Sequence, residues 1–392
     1  MLFSAVPFPA VRSFVIATLL LVGLPGCNYF QGSKADPDVN LADLEEEGAD
    51  DELLEEDGKK KAPSGREATS GKIELKLEVG QRFPLTKRIE QRLTQAVGRE
   101  ISVYRSLAEM LLSLNVEEVN NGRKRLGVRY HRVRYAHDIA GKKVEYSSDA
   151  SPQPAIPPEA LVYAGLNDNG FSFWIGPDNR VEQLIGFAEF LQRCVKDVPP
   201  HLRPLVLQQL EGVHSETDLA NFVDDGIGLL PYSNDPAQAA IAVKVGQSWD
   251  LKPRRTEGPI PMQVNTRCLL DSLTDTSAEI SLVGNIPGDK APTFVRDGDR
   301  EMRVFLRGGH CHGTCKIDRH TGLPTNSQMN CYLEMSVQLA DGSEIMQRKE
   351  TLTSVNSFLE QTASRQPASS SQESGIQQAG HTQAAVPARR SQ

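Results

Sequence analysis

The sequence predicts an α+β protein, mostly antiparallel β, arranged as two related curved-sheet units with a helical insert between them. Three observations carry this: apolar residues alternating with polar ones at period two, a strand-and-turn pattern that recurs later in the chain, and one stretch of helical spacing between the two copies.

Ile73, Leu75, Leu77 and Val79 alternate with Glu74, Lys76 and Glu78, which is the pattern of a half-buried strand. Met110, Leu112, Leu114 and Val116 alternate likewise, and Val119-Asn120-Asn121-Gly122 then leads to Leu126 and Val128. Asn-Gly supplies the positive φ of a tight turn, so these two runs are expected to pair as a hairpin. Residues 130–135, 143–146 and 171–175 are further strands, and Gly176-Pro177-Asp178-Asn179 turns the chain into residues 180–185.

The second copy begins about 166 residues later. Val79 leads into Gly80-Gln81-Arg82-Phe83; Ile241, Val243 and Val245 lead into Gly246-Gln247-Ser248-Trp249. Downstream, Leu270-Asp271-Ser272-Leu273 and Ile280 echo Val116-Glu117-Glu118-Val119 and Leu126. Each copy is expected to supply its own antiparallel sheet. Between them, Leu184, Phe187, Leu191 and Val195 share one helical face over residues 184–195, and shorter helical stretches follow at 204–210 and 218–223. Such an insert would cover an open sheet face.

Residues 14–24 form an apolar run of eleven preceded by Arg12. That is too short to span a bilayer, which takes about 20 residues, and fits the apolar region of an export signal. The run ends at Leu24-Pro25-Gly26-Cys27, which resembles the bacterial lipobox and marks Cys27 for lipidation. Acyl chains on Cys27 would hold the protein on a membrane, each buried CH₂ contributing about 0.8 kcal/mol. The expected divisions are a signal peptide at 1–27, an acidic tether at 28–70, a first β unit at 71–183, a helical insert at 184–232, a second β unit at 233–360 and a polar tail at 361–392. The tether carries 13 acids against 5 bases, a net −8 that equals the formal charge of the whole chain. Such a segment buries too little apolar surface to fold, as does the Ser/Gln/Ala-rich tail. The overall charge provides no basic footprint for nucleic acid, and a mean hydropathy of −0.38 excludes a polytopic membrane protein.

Chemistry-bearing residues concentrate in Gly308-Gly309-His310-Cys311-His312-Gly313-Thr314-Cys315. Two His and two Cys are ligand types that Zn²⁺ or copper takes. On a strand, however, His310 and His312 face away from Cys311 and Cys315. The alternative is a disulfide. Residues 317–324 read as a strand, an Asp/Gly turn and a returning strand; pairing Asp318 with Leu323 places Cys311 opposite Asn330, one position from Cys331. Export makes oxidation of a Cys311–Cys331 pair plausible. The remaining thiols are Cys194, Cys268 and Cys315.

Other motifs fail. Gly65-Arg66-Glu67-Ala68-Thr69-Ser70-Gly71-Lys72 has five residues between its glycines where a phosphate-binding loop has four, and Ile73 stands where Ser or Thr would hold Mg²⁺. No G-x-S-x-G, H-E-x-x-H or G-x-G-x-x-G occurs. Glu117-Glu118 and Asp224-Asp225 are exposed pairs by position. His131 lies on a strand beside Arg129, Arg132 and Arg134, which offer a local anion patch.

The lipobox, the Val79-Gly80-Gln81-Arg82-Phe83 entry, residues 129–135 and the Asp318-Arg319-His320-Thr321-Gly322-Leu323-Pro324 turn together resemble a family of bacterial envelope lipoproteins built around a domain of unknown function. The resemblance covers about residues 72–357. It implies export, anchoring and a β-rich body, and transfers no functional residues. The sequence therefore points to a non-enzymatic envelope protein without cofactor, anchored to a membrane and facing the periplasm or exterior. Its role is binding or structural; the alternatives are a carrier holding a lipid or other apolar ligand in a cupped sheet, and a Zn or Cu protein using His310, Cys311, His312 and Cys315.

Overall fold

The computed structural model describes residues 66–357, apart from 140, 152–154, 178–180, 204–241, 252, 257–261 and 298–299. The expected signal peptide, Cys27, most of the tether, the helices at 204–210 and 218–223, Asp224-Asp225 and the tail lie outside the described residues.

The hairpin chemistry forms as read. β3 (Glu100–Asn120) and β4 (Arg123–Ile139) are joined by Asn121 at φ 50° and Gly122 at φ 79°, the paired positive φ of a tight hairpin turn. β2 (Arg82–Val97) precedes them; β5 (Lys142–Ser147), β6 (Gly170–Ile175) and β7 (Val181–Ile185) follow. The second half contributes β9 (Ser248–Asp250), β10 (Arg254–Thr256), β11 (Met262–Leu273), β12 (Ser277–Pro287), β13 (Thr293–Asp297), β14 (Arg300–Asp318), β15 (Pro324–Gln338) and β16 (Glu344–Ser357).

The repeat holds at the level of hydrogen bonds. Glu78 N donates to Gln81 Oε1 at 3.0 Å, and Lys244 N to Gln247 Oε1 at 3.0 Å. Gly80 (φ 88°) and Gly246 (φ 82°) turn the chain identically. Gly80 N then donates to Val116 O at 2.9 Å, and Gly246 N to Leu270 O at 2.8 Å. Val116 pairs with Leu126 and Leu270 with Ile280, and each ladder is bulged immediately afterwards. Phe83 opposite Leu114 corresponds to Trp249 opposite Cys268, and Leu126 opposite Phe173 to Ile280 opposite Cys315.

The expectation of a separate sheet for each copy is corrected. β16 runs antiparallel to β2 from Met346↔Ala96 to Ser357↔Leu85, and this ladder fuses both halves into one curved, open sheet of fourteen strands in the order β10-β11-β12-β14-β15-β16-β2-β3-β4-β6-β7. β13 pairs with β14, β5 with β4 and β9 with β11. β2 and β16, the seam strands, are the long elements that the sequence pattern did not reveal.

Three further readings change. Residues 72–78 alternate in burial, with Leu75 and Leu77 inside and Lys76 and Glu78 outside, yet they join no ladder. Lys76 N donates to Thr321 O at 2.8 Å, so the segment lies across the β14–β15 turn and buries its apolar side there. The end of the tether is also ordered: Ala68 N donates to Leu273 O, and β1 (Ser70–Gly71) pairs with β8 (Val243–Lys244). Finally, the helix starts later than its apolar spacing implies. Leu184 belongs to β7, Gly186 turns at φ 68°, and the helix α2 spans Phe187–Cys194. A short helix α1 (Leu161–Ala164), too brief to show periodicity, precedes β6.

Both helices pack on one face of the first half. Phe171 meets Phe190 edge-on at 5.3 Å, and Tyr135 stacks on Tyr163 at 4.2 Å. Asn169 holds α2 in place, donating from Nδ2 to Phe190 O and accepting from Arg193 Nε at 2.7 Å. The same sheet face continues through β2, β16 and β15 into the second half; we call it the core face. Leu93 at the seam is fully buried in a cluster with Tyr104, Ile139, Met335, Val337 and Ile345. Truncating Leu93→Ala leaves a cavity that the two flanking ladders prevent from collapsing. It is expected to cost about 2–5 kcal/mol, read as a lower midpoint in urea denaturation.

Candidate functional site

The His/Cys cluster lies on β14, where strand alternation divides it. Cys311 and Cys315 are buried on the core face; His310 and His312 are exposed on the outer face and stack against Tyr332 of β15 at 4.9 Å and 5.9 Å. Arg348 lies over the same ring. The four residues read as an alternative metal set therefore do not converge, and among the described residues no group of three or more His, Cys, Asp or Glu side chains is placed to hold a metal ion.

Cys311 stands directly opposite Cys331, with Cα atoms 4.1 Å apart and the sulfurs bonded. The turn begins as the sequence implies, Asp318 N donating to Leu323 O at 3.0 Å. The register then shifts between Lys316 and Ile317, which moves Cys331 from one place beyond Cys311 to face it. Cys194, Cys268 and Cys315 are free and buried. Burial pushes each of their thiols up to about 12, with Cys315 adding to the rise at Cys268.

The other sequence candidates are structural contacts. Glu117 pairs with Arg125 at 2.7 Å and accepts from Ser172 Oγ at 3.0 Å. Arg132 is paired with Glu109 and Asp149. His131 is the extra residue of a bulge in β4, since Leu111 pairs with Arg132 and Leu112 with Tyr130. Its Nε2 lies 2.8 Å from Ser113 Oγ and 3.3 Å from Arg82 Nη2. Arginine only donates, so Nε2 is an acceptor and Ser113 O–H donates to it. Burial, then Arg82 and Arg129, lowers the His131 pKa, which favours this neutral form. Ser113 is only 1% exposed, and the pair ties the bulge to β3.

The feature that sequence reading missed lies at the seam on the core face. Along β2 that face presents Phe83, Leu85, Lys87, Ile89, Gln91, Leu93 and Gln95, all buried. Along β16 it presents Ile345, Gln347, Lys349, Thr351 and Val355, also buried. Register sets Gln347 opposite Gln95 and Thr351 opposite Gln91, with Ser106 and His137 continuing the second row across β3 and β4. Buried polar side chains, Lys87 and Lys349 among them, thus interrupt the apolar rows of this face. Ser106 Oγ donates to Gln91 Oε1 at 3.5 Å, whereas neither the Nε2 nor the Oε1 of Gln95 or Gln347 has a hydrogen-bond partner. A buried unpaired amide costs about 1–3 kcal/mol, which makes this pair an exception to ordinary core construction. The signal in the sequence was a polar residue at every fourth position of residues 87–95 and at every other position of 347–351, which reads as an exposed face unless the register is known.

Among the described residues the architecture is that of a large, open antiparallel β-sheet carrying two small helices. The profile of a family of unknown function, DUF6263, matches residues 121–324, and the chain belongs to that family. The match runs from the β3–β4 turn to the first residue of β15, less than the 72–357 that the sequence resemblance implied. No curated protein matches the chain at a significant level. Among solved structures, the chain is similar over 72% of its length to lipovitellin, at 8% identity and a TM-score of 0.38; it spans about a quarter of that protein (26%). It is also similar to an outer membrane channel from Pseudomonas putida F1 (8% identity, TM-score 0.19, covering 72% and 97% of the two chains). A third likeness is to a domain described as an outer membrane lipoprotein-sorting protein from Vibrio parahaemolyticus (10%, 0.10, 70% and 83%).

The disulfide closes a sequence separation of 20 residues, for which chain entropy implies about 3 kcal/mol. Cys311→Ser with Cys331→Ser is expected to lower the denaturation midpoint accordingly, while thiol titration of the denatured wild-type body rises from three groups to five on reduction. The free thiols set an alkaline limit. Their folded pKa of about 12 lies above the roughly 8.5 of an unfolded cysteine. The unfolded chain therefore loses protons first, and stability that is complete below about pH 8.5 declines as pH rises toward 12. Urea midpoints measured from pH 7 to 11 check this.

Proposed function

We propose that the protein is an exported, non-catalytic lipoprotein of the bacterial envelope, anchored through acylated Cys27, which binds an amphipathic ligand on the core face of its β-sheet. The observation that carries this reading is the set of buried polar side chains at the seam, Lys87, Gln91, Gln95, Gln347, Lys349 and Thr351, interleaved with apolar ones on one sheet face. An ordinary core is apolar throughout, and polar groups buried without partners cost about 1–3 kcal/mol each, a cost that a ligand entering on opening of this face would offset by pairing with them. The Leu24-Pro25-Gly26-Cys27 motif supports the anchor, and the acidic 28–70 segment would hold the body off the membrane. The net charge of −8 disfavours nucleic acid as a partner.

Two measurements test the two parts. Cys27→Ser is expected to move the protein from the membrane fraction to the soluble fraction, or to leave it as uncleaved precursor, with loss of acyl mass at residue 27; an unmodified Cys27 in the wild-type membrane fraction would refute anchoring. Native mass spectrometry of the full chain, released gently from detergent, is expected to show about one equivalent of a bound lipid-like species, and a chain free of any such species would refute the binding role.

A further inference from the structure

Arginines on the outer sheet face are matched by acids in several places: Arg88 meets Glu90 at 2.9 Å, Arg125 meets Glu117 at 2.7 Å, and Arg132 meets both Glu109 and Asp149. Arg82 and Arg129 are exposed and, among the described residues, meet no carboxylate. Register sets them on either side of β3 and on the same face: Arg82 pairs with Asn115, and Ser113, two positions along, pairs with Arg129. Both guanidinium charges reach His131, the bulge residue of β4, where they follow burial as causes of its lowered pKa. On the other side of Arg129 its strand partner is Gly170, which has no side chain to compete for the place.

The acids nearby are engaged. Glu117 is held by Arg125 and by Ser172 Oγ. Asp168, whose opposing pull on His131 is the weakest of the four influences, accepts from Asn167 Nδ2 at 3.1 Å. His131 Nε2 receives Ser113 Oγ at 2.8 Å and Arg82 Nη2 at 3.3 Å on a single lone pair. Arg82 is the more distant donor, so its guanidinium can turn to a stronger acceptor while Ser113 keeps the bulge tied. With Nε2 an acceptor, the proton of the neutral ring is on Nδ1, and among the described residues that N–H has no partner. Three donor groups thus meet at one exposed place without an anionic acceptor. A carboxylate has two oxygens in one plane and suits one guanidinium fork, whereas a tetrahedral oxyanion presents oxygens to all three.

We propose that Arg82, Arg129 and the Nδ1–H of His131 form a surface site for a phosphate-type oxyanion, either free phosphate or the phosphate of a lipid head group. The two guanidinium groups supply the charge. The neutral imidazole, aimed by the bulge, supplies a directed donor without adding a third positive charge. The site lies on the outer face and is independent of the core-face reading above.

The test is isothermal titration of the full-length protein in non-ionic detergent at pH 7 and fixed ionic strength, since salt screens exposed charges. Three titrants are compared: inorganic phosphate, glycerophosphoglycerol (a lipid head group freed of its chains) and acetate. The wild type is expected to bind one of the two phosphate compounds at least about tenfold more tightly than acetate, the scale of one charge-assisted hydrogen bond. Tighter binding of glycerophosphoglycerol than of phosphate assigns the site to a lipid head; equal or weaker binding assigns it to free phosphate. Arg82→Gln/Arg129→Gln is expected to abolish the preference over acetate, while Arg88→Gln, at an arginine already paired with Glu90, leaves it intact. Because neither Arg82 nor Arg129 holds an ion pair, the double variant is expected to melt close to the wild-type temperature. Absence of any preference for either phosphate compound in the wild type would overturn the site, and so would a preference undiminished in a folded double variant. The wild-type comparison needs no variant, so misfolding of the double mutant would not rescue the idea.

Discussion

The β16–β2 ladder is the constraint on which the rest of the molecule depends. It joins the last strand of the described chain to the first long one, and it alone turns two repeated sets of strands into a single sheet. Its bonds are between backbone groups, so the side chains of the two strands are free of the need to hold them together. That freedom is what allows Gln95, Gln347 and Thr351 to occupy core-facing positions where Leu or Val would otherwise be required. The ladder also links residues 250 to 272 positions apart, which gives it the large loop-closure entropy of a non-local pairing.

What could be read in the sequence was what local chemistry determines. Asn121-Gly122 defines a hairpin by the φ values its residues tolerate, and Gly80-Gln81 and Gly246-Gln247 define a turn by a side chain closing onto its own backbone. The seam strands were opaque because Lys87, Gln91 and Gln95 in one and Gln347, Lys349 and Thr351 in the other interrupt the core-facing positions, which breaks the apolar period on which strand recognition relies. The converse error occurred at residues 73–79, where alternation is real but expresses packing against a turn instead of pairing. Leu184 fitted a helical face by spacing, yet Gly186 prevents the helix from reaching it. The disulfide partners were visible to within one residue, and the missing residue is a bulge set by the sheet. The glutamine pair was not visible at all, since its meaning arises only when two strands distant in sequence lie side by side.

Comparison of the two halves shows how one scaffold is stabilised in two ways. Where the first half places Leu114 and Phe173, the second places Cys268 and Cys315. The larger side chains of the first half support a layer of aromatic contacts that α1 and α2 complete. In the second half, thiols act as small apolar groups, and the Cys311–Cys331 bond clamps the neighbouring strands.

The sheet also tapers. Its central strands β3 and β14 run to 21 and 19 residues, while the strands at the two ends of the hydrogen-bonded path, β7 and β10, have five and three. A sheet border exposes unpaired N–H and C=O groups in proportion to its length, and long borders recruit other chains into polymers. With such short borders among the described residues, each copy offers little template to the next. Crowded copies of the protein thus have little to pair with, and Arg254 and Arg255 of β10 set like charges at one of the borders.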